Sequence, residues 1–457
     1  MPRRDPTQYA WKAAALKFAP TDYVRYRPRP WDLRSKVMAY IHDCPRRPTS
    51  SAYLRALELT RRDFKINPVQ PLHINDSIRK FQHPEKSPGL PYTREGLHRK
   101  DEVDPNRIKH YVHNLKYGIY NRCNTPCTAA TRTHLSNKGE KFRLIWVYPA
   151  HMVYAEGMFA QPLIERYLSK RSHYALWMNY SKGDMRWIIG HRRCARLKWV
   201  GLDWSSFDVY PPPWLIRDAF AILREQLNFS GYQVRGVPTH DHTLPRLWRA
   251  IVKYFIETPI KLPDGEVIRK RCGVPSGSYF TNLIDSVINC IVCHTLFIEL
   301  GYHYSSVARW FMGDDGLLLT TSDVDLDIMA GLARSVFGFE LNTSKSEVGE
   351  EVAFLGYRMT KVGYPRADYN KLMAQLLVPA VPDRSELDFV ARAKALQLSC
   401  FGLGCWDFTL EVQRYLEGLD LPSDYRPKLH HRDELFQKLE QLDLAHWPPL
   451  NRVMALV

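Results

Sequence analysis

The 457-residue chain has no long apolar run. Nowhere do the ~18 uncharged apolar residues of a membrane-spanning helix follow one another. The most apolar stretch, LIDSVINCIVCHTLFIEL (283–300), is interrupted by Asp285, Asn289, His294 and Glu299, so no membrane span is expected. The N-terminal MPRRDPTQYAWKAAALKF has no signal-peptide core, and Asp5 with the short apolar pattern favours a surface helix over a mitochondrial presequence. Internal repeats and low-complexity tracts are also missing. Cysteine is sparse, with nine residues occurring singly or in loose pairs. That density builds no disulfide scaffold and suits a reducing compartment. Cys123 and Cys127 lack the second pair a structural zinc site needs. CIVCH (290–294) has haem-attachment spacing but lies in an apolar, helical stretch, where cysteine is a packing residue.

Acidic residues are in deficit, 48 against 64 Lys and Arg, for a formal charge of +16. The excess recurs at RYRPRP (25–30), HRRCARLK (191–198) and IRKR (268–271) instead of filling one tail. Nucleic acid is therefore a better polyanionic partner than an acidic membrane surface. A hydrophobic fraction of 45% is that of a globular protein, and the length provides for two to four lobes.

Along the chain, residues 1 to about 80 are basic, helix-leaning and punctuated by proline. TAATRTHLSNKGEKFRLIWVYPA (128–150) predicts a hairpin with its turn at 137–139. KWVGLDWSSFDVYPPPWLIRDAFAIL (198–223) predicts a strand, a loop and a helix entered through prolines. GVPSGSYFTNLIDSVIN (273–289) predicts a Gly/Ser loop feeding a helix, and RWFMGDDGLLLTT (309–321) a hairpin. A helix over 325–341 and a strand over 351–359 follow, with helical segments beyond Tyr364. The fold class read from this order is α+β.

The chemistry concentrates in four aspartates. Asp203 ends a predicted strand, Asp208 follows five residues later, and Asp314 and Asp315 occupy the tip of the hairpin. Carboxylates at two strand ends can converge on hard divalent cations, which prefer oxygen ligands. Two such ions support in-line displacement at phosphorus.

These segments, in this order, resemble the palm motifs of viral RNA-dependent RNA polymerases. LDWSSFD (202–208) looks like motif A, GVPSGSYFTNLIDSVIN (273–289) like motif B and FMGDDG (311–316) like motif C. Lys345 in LNTSKSE fits motif D, AFLGY (353–357) motif E, KFRLIWVYP (141–149) motif F and SPGLPY (87–92) motif G. The wording is most like that of partitivirus-like double-stranded RNA viruses. The resemblance covers residues 85 to 360.

The resemblance implies a right-hand fold whose palm is an antiparallel sheet backed by helices. Residues 1–197 would form an N-terminal region and fingers, 198–224 and 273–364 the palm, 225–272 a fingers insertion, and 365–457 the thumb. It implies two Mg²⁺ or Mn²⁺ ions on Asp203 and Asp314, with Asp315 as auxiliary ligand. Lys141 and Arg143, with Arg132 a weaker candidate, would face the incoming triphosphate. Ser276, Gly277 and Thr281 would let template and nucleotide approach the backbone. Asp208 would sense the ribose 2′-hydroxyl, and Lys345 would protonate the departing pyrophosphate. Asp285 stands where many relatives have Asn, and two carboxylates so near repel unless one is protonated or Ser276 or Thr281 donates between them. Asn289 reads as a helix-packing residue. Partners implied are single-stranded RNA template, double-stranded product, ribonucleoside triphosphates and a viral capsid protein, in host cytoplasm within the virion.

Singly, each residue has a plainer reading: Lys141 and Arg143 as exposed hairpin charges, Lys345 as a solvated lysine, Ser276–Gly277 as a turn and Asp208 as a helix N-cap. Two alternative functions compete. A reverse transcriptase shares the palm chemistry, but Asp208 replaces its aromatic gate and Gly313 the usual aromatic before the acids. A non-catalytic RNA-binding or capsid-associated protein would suit the charge but has no use for Asp203, Asp314 and Asp315 together.

Overall fold

The structure, a computed structural model, describes residues 23–380 except 27, 138–140, 179–183 and 361–364, together with isolated positions between 383 and 414. The helix expected at the N-terminus and most of the expected thumb lie outside the described residues.

A four-stranded antiparallel sheet organises the centre, in the order Glu347–Gly349, Lys198–Leu202, Asp315–Thr320, Tyr304–Met312. The two middle strands read KWVGL and DGLLLT and are buried along nearly their whole length, so they are continuous apolar runs without alternation. The helix Thr281–Glu299 backs this sheet and packs against helices Ser51–Asp63, Pro213–Arg224 and Leu326–Phe337. It is apolar all round because protein surrounds it on all sides. By length and composition it could cross a membrane, yet 83% of its apolar window is buried inside the protein.

A second sheet runs Phe142–Val147, Cys127–Thr133, Pro259–Lys261, Val267–Arg269, its middle pair parallel and the rest antiparallel. The predicted hairpin is its first pair. Its connection is longer than a turn at 137–139: pairing stops at Thr133–Phe142, and Leu135–Ser136 turns away to pair with Val24–Arg25. The strand expected over 351–359 is a small hairpin, Val352–Phe354 with Tyr357–Met359. Its turn holds Leu355 at φ 51° and Gly356 at φ 83°, the mirror-type geometry that suits strand twist. The helix expected over 325–341 ends at Phe337, where Gly338 takes a left-handed C-cap at φ 75°.

Cys290 and Cys293 are buried packing residues. His294, in the haem-like spacing, instead puts Nε2 2.9 Å from Asp63 Oδ2.

Candidate active site

The register of the central sheet brings the acids together. Leu202 pairs with Gly316, so Asp203 leaves its strand beside Asp315. On the other side Met312 pairs with Asp315, leaving Gly313–Asp314 as a two-residue turn. Gly313 has φ 65°, a conformation that favours glycine.

The tip is held from below by the long helix. Gly313 N donates to Ser286 Oγ at 2.8 Å, and Asn289 Nδ2 donates to the carbonyls of Gly313 (3.2 Å) and Asp314 (2.9 Å). Asn289 Oδ1 accepts from Trp204 Nε1 at 3.2 Å. Asn289 is therefore more than the packing residue expected: it ties the turn bearing Asp314 to the segment bearing Asp203. Asp203 is itself fixed through its backbone, donating to Ser346 Oγ (3.0 Å) and accepting from Asn342 N (2.8 Å). The same loop places Lys345 Nζ 3.8 Å from Asp203 Oδ2, both side chains being close to half exposed.

Burial pushes Asp315 up to about 7, with Asp314 and Asp203 adding to it. Asp314 is accessible at the turn, yet the protein crowded around it raises its pKa as well, while Arg143 and Lys141 oppose that rise. Burial pulls Lys141 down, helped by Lys345 and Arg143 and opposed by Asp203. The two basic hairpin residues and Lys345 thus share one electrostatic field with the acids. Arg132 lies directly opposite Arg143 across the hairpin, both exposed. Like charges so placed destabilise a strand pair, which marks the surface as one shaped for an anion. Asp203, Asp314 and Asp315 offer only hard carboxylate oxygens, and burial penalises the charge of Asp314 and Asp315. That donor set fits Mg²⁺ or Mn²⁺.

Asp208 lies in a single 3₁₀ turn, Phe207–Val209, not at the N-cap of Pro213–Arg224. Its carbonyl accepts from Val274 N at 2.7 Å. Burial and Asp314 push its carboxyl up to about 6, and Asp285 is held well above the carboxylate range by burial and Asp208. Neither hydroxyl considered as a mediator is available. Ser276 Oγ donates to Leu144 O (3.1 Å) and accepts from Trp146 N (3.3 Å). Thr281 Oγ1 donates to the carbonyls of Pro275 (2.8 Å) and Ser278 (2.9 Å). Each hydroxyl has one proton, so a proton on the acid pair itself is what relieves the repulsion. Asp285 Oδ1 is buried without a hydrogen-bond partner.

Gly277 also differs from expectation. A Cβ there would lie 1.7 Å from Trp146 O, so the close neighbour is the backbone of the strand carrying Arg143. Buried Glu156 completes this loop, accepting from Ser278 Oγ and Tyr279 N, each at 2.8 Å. Burial pushes it up to about 8.

Sequence reasoning missed Asn289's bridging, Ser286 and Glu156. A lone acid inside the apolar AHMVYAEGMFAQPL was a signal for Glu156. It also missed Asp63, whose buried carboxylate accepts from Arg309 Nε at 2.6 Å at the base of the hairpin that carries Asp314.

The description "Viral RNA-dependent RNA polymerase" belongs to a family profile that matches residues 41–377. The RNA-directed RNA polymerase of White clover cryptic virus 1 is 28% identical over 296 residues, covering 56% of this chain and 46% of that protein. That of Cryptosporidium parvum virus 1 is 28% identical over 239 residues, covering 50% and 40%. The match thus spans less than half the length of these curated relatives. Among solved structures, the Sicinivirus 3Dpol RNA-dependent RNA polymerase aligns with a TM-score of 0.71 at 14% identity, covering 100% of this chain and 97% of that one. The RNA-dependent RNA polymerase of a human picorbirnavirus aligns at 0.65 and 15%, covering 89% and 76%. At such identities the likeness is one of fold, the right-hand polymerase fold. With three quarters of its length matched by the profile, the chain belongs to the viral RNA-dependent RNA polymerase family.

Proposed function

We propose that this chain synthesises RNA on an RNA template by two-metal nucleotidyl transfer, replicating and transcribing a double-stranded viral RNA genome. The observation that carries the reading is the convergence of Asp203 and Asp314 from two paired strands, facing Lys141 and Arg143. A protein that only binds RNA gains nothing from clustered acids in a basic chain.

Asp203 and Asp314 would hold the two ions, with Asp315 as auxiliary ligand. When bound, Mg²⁺ or Mn²⁺ activates the attacking 3′-hydroxyl and stabilises the leaving pyrophosphate. Lys141 and Arg143, with Arg132 beside them, receive the triphosphate oxygens. Asp208 accepts from the ribose 2′-hydroxyl, and neutral Asp285 holds Asp208 in place. Ser276, Gly277 and Thr281 act one step back, locking the loop against the strand that carries Arg143. Lys345 supplies a proton to the departing pyrophosphate.

Under this reading residues 198–224 and 273–364 form the palm, 1–197 and 225–272 the fingers, and 365–457 the thumb. The joining of residues 127–147 and 259–269 in one sheet supports grouping the two finger segments. Single-stranded RNA is the template, double-stranded RNA the product and viral capsid protein the packaging partner, within virions in host cytoplasm. The test is incorporation of ribonucleotides on a single-stranded template with a blocked 3′ end and Mg²⁺. We expect template-dependent product. No incorporation on any template with Mg²⁺ or Mn²⁺ would favour a non-catalytic RNA-binding protein.

A further inference from the structure

Cys44 and Cys272 are 228 residues apart in sequence, and their sulfurs meet in the fold. A ring nitrogen of His42 joins them, the three ligand atoms lying within 4.8 Å of one another. His42 and Cys44 are partly exposed and Cys272 is buried. We infer that His42, Cys44 and Cys272 form a Zn²⁺ site joining the N-terminal segment to the loop that leads into Ser276.

Two arrangements bring two cysteines together, a disulfide or a shared metal. The Cα atoms stand 7.2 Å apart, beyond the span that a disulfide bridges without backbone movement. The other described cysteines are all unpaired. Cys123, Cys127, Cys290 and Cys293 are buried free thiols, and Cys194 is an exposed one. A disulfide does not persist where such thiols stay reduced. Zn²⁺ suits two thiolates and one imidazole.

The ligands are oriented before any metal arrives. His42 Nδ1 is 3.0 Å from the carbonyl of Ala39. Donating there, it leaves Nε2 with its lone pair free, the arrangement that supports a metal-bound histidine. The His42 ring also packs edge-on against Tyr210, with centroids 5.7 Å apart. On the opposing segment, Arg271 N and Cys272 N both donate to Tyr40 O, at 3.0 and 3.2 Å. The fourth coordination position falls to water on the partly exposed side. Binding releases one proton from each thiol, and the metal gains two thiolates and one neutral imidazole.

The site sits one residue from a close backbone junction. Gly273 has φ 81°, and a Cβ there would meet Asp208 O at 2.5 Å and the Tyr40 ring at 2.6 Å. Gly273 N donates to Pro211 O at 2.8 Å, and Val274 N donates to Asp208 O. A metal at Cys272 therefore fixes the segment that positions Asp208. This inference does not depend on the catalytic proposal, because its readout is bound metal.

The test is the zinc content of the full chain purified in thiol reductant and dialysed against metal-free buffer, with the Co²⁺-substituted protein examined by absorption spectroscopy. We expect about one zinc per chain and a thiolate-to-cobalt charge-transfer band. Zinc retention should fall more than about tenfold in Cys44→Ser and in Cys272→Ser, and also in His42→Ala, a partly exposed position where misfolding is a lesser concern. Chelator should lower the Tm of the parent chain and leave that of the Cys44→Ser/Cys272→Ser variant unmoved. Three results overturn the inference: no zinc with seven of nine thiols titrating before reduction, which is a disulfide; no zinc with all nine titrating, which is a packing contact; or zinc retained undiminished in all three variants.

Discussion

The Cβ that Gly277 lacks would lie 1.7 Å from the carbonyl oxygen of Trp146. Two segments 130 residues apart thus meet backbone to backbone, and Ser276 stitches the same junction through Leu144 O and Trp146 N. Any side chain at 277 must push away the strand that carries Arg143. For Gly277→Ala we expect a loss of about 1–3 kcal/mol in unfolding free energy, measured by denaturant titration. RNA synthesis should fall by about a hundredfold, because small displacements of positioning groups are costly to rate. Wild-type synthesis in this variant would mean the junction opens freely during turnover.

Arg132 and Arg143 face each other across the hairpin, where like charges oppose the pairing. We expect Arg132→Ala to raise stability slightly while increasing the KM for ribonucleoside triphosphates several-fold. Arg143→Ala should raise KM more, by about tenfold. Steady-state kinetics and thermal unfolding on the same variants separate the two effects, and a stability loss in Arg132→Ala would contradict the electrostatic reading.

Burial and Asp208 hold Asp285 well above the ordinary carboxylate range. The folded state therefore binds that proton more tightly than the unfolded chain, and stability falls as pH rises from the unfolded value of about 3.9 towards the folded one. Asp285→Asn removes this dependence. We expect its stability advantage to be absent below about pH 4 and to grow as pH rises, measured by unfolding in metal-free buffer. A variant less stable than the parent at pH 8 would rule out a neutral Asp285. In the same pocket Asp208→Ala should reduce the preference for ribonucleotides over deoxyribonucleotides, read from competing incorporation.

Asp63 and Arg309 form a buried ion pair at the base of the strand that ends in Met312. Burial alone would raise Asp63, but hydrogen bonds from His294 and Arg309 outweigh it and hold the carboxyl well below its usual range. Asp63→Ala takes the carboxylate away from a buried guanidinium, and we expect a loss of about 3–5 kcal/mol in the same unfolding assay. A loss under about 1 kcal/mol would remove this pair from the account of how the hairpin is held.

What was legible in the sequence was local. The hairpin at 309–321, the strand and loop at 198–208 and the Gly/Ser loop before Thr281 are short patterns whose turn chemistry identifies them. The register that sets Asp203 beside Asp315 was not legible, because both strands are continuous apolar runs that mark no single buried face. What was illegible was long-range and backbone-mediated. Nothing in GVPSGSYF says that Gly277 meets a carbonyl of another strand, or that the Ser276 and Thr281 hydroxyls are already engaged. Asn289 looked like one more residue in a buried helix, because its partners come from two segments that only the fold brings together. Cys44 and Cys272 were unreadable as a pair for the same reason.

The most direct test of the two-metal site is RNA synthesis by Asp314→Asn beside the parent chain, with RNA binding measured on both. Removing one carboxylate oxygen charge from the turn should abolish synthesis at saturating Mg²⁺ and leave template affinity within about twofold, since phosphate contacts dominate that affinity. Near-parental synthesis by Asp314→Asn would contradict the assignment of Asp314 as a metal ligand and, with it, the chemistry built on Asp203.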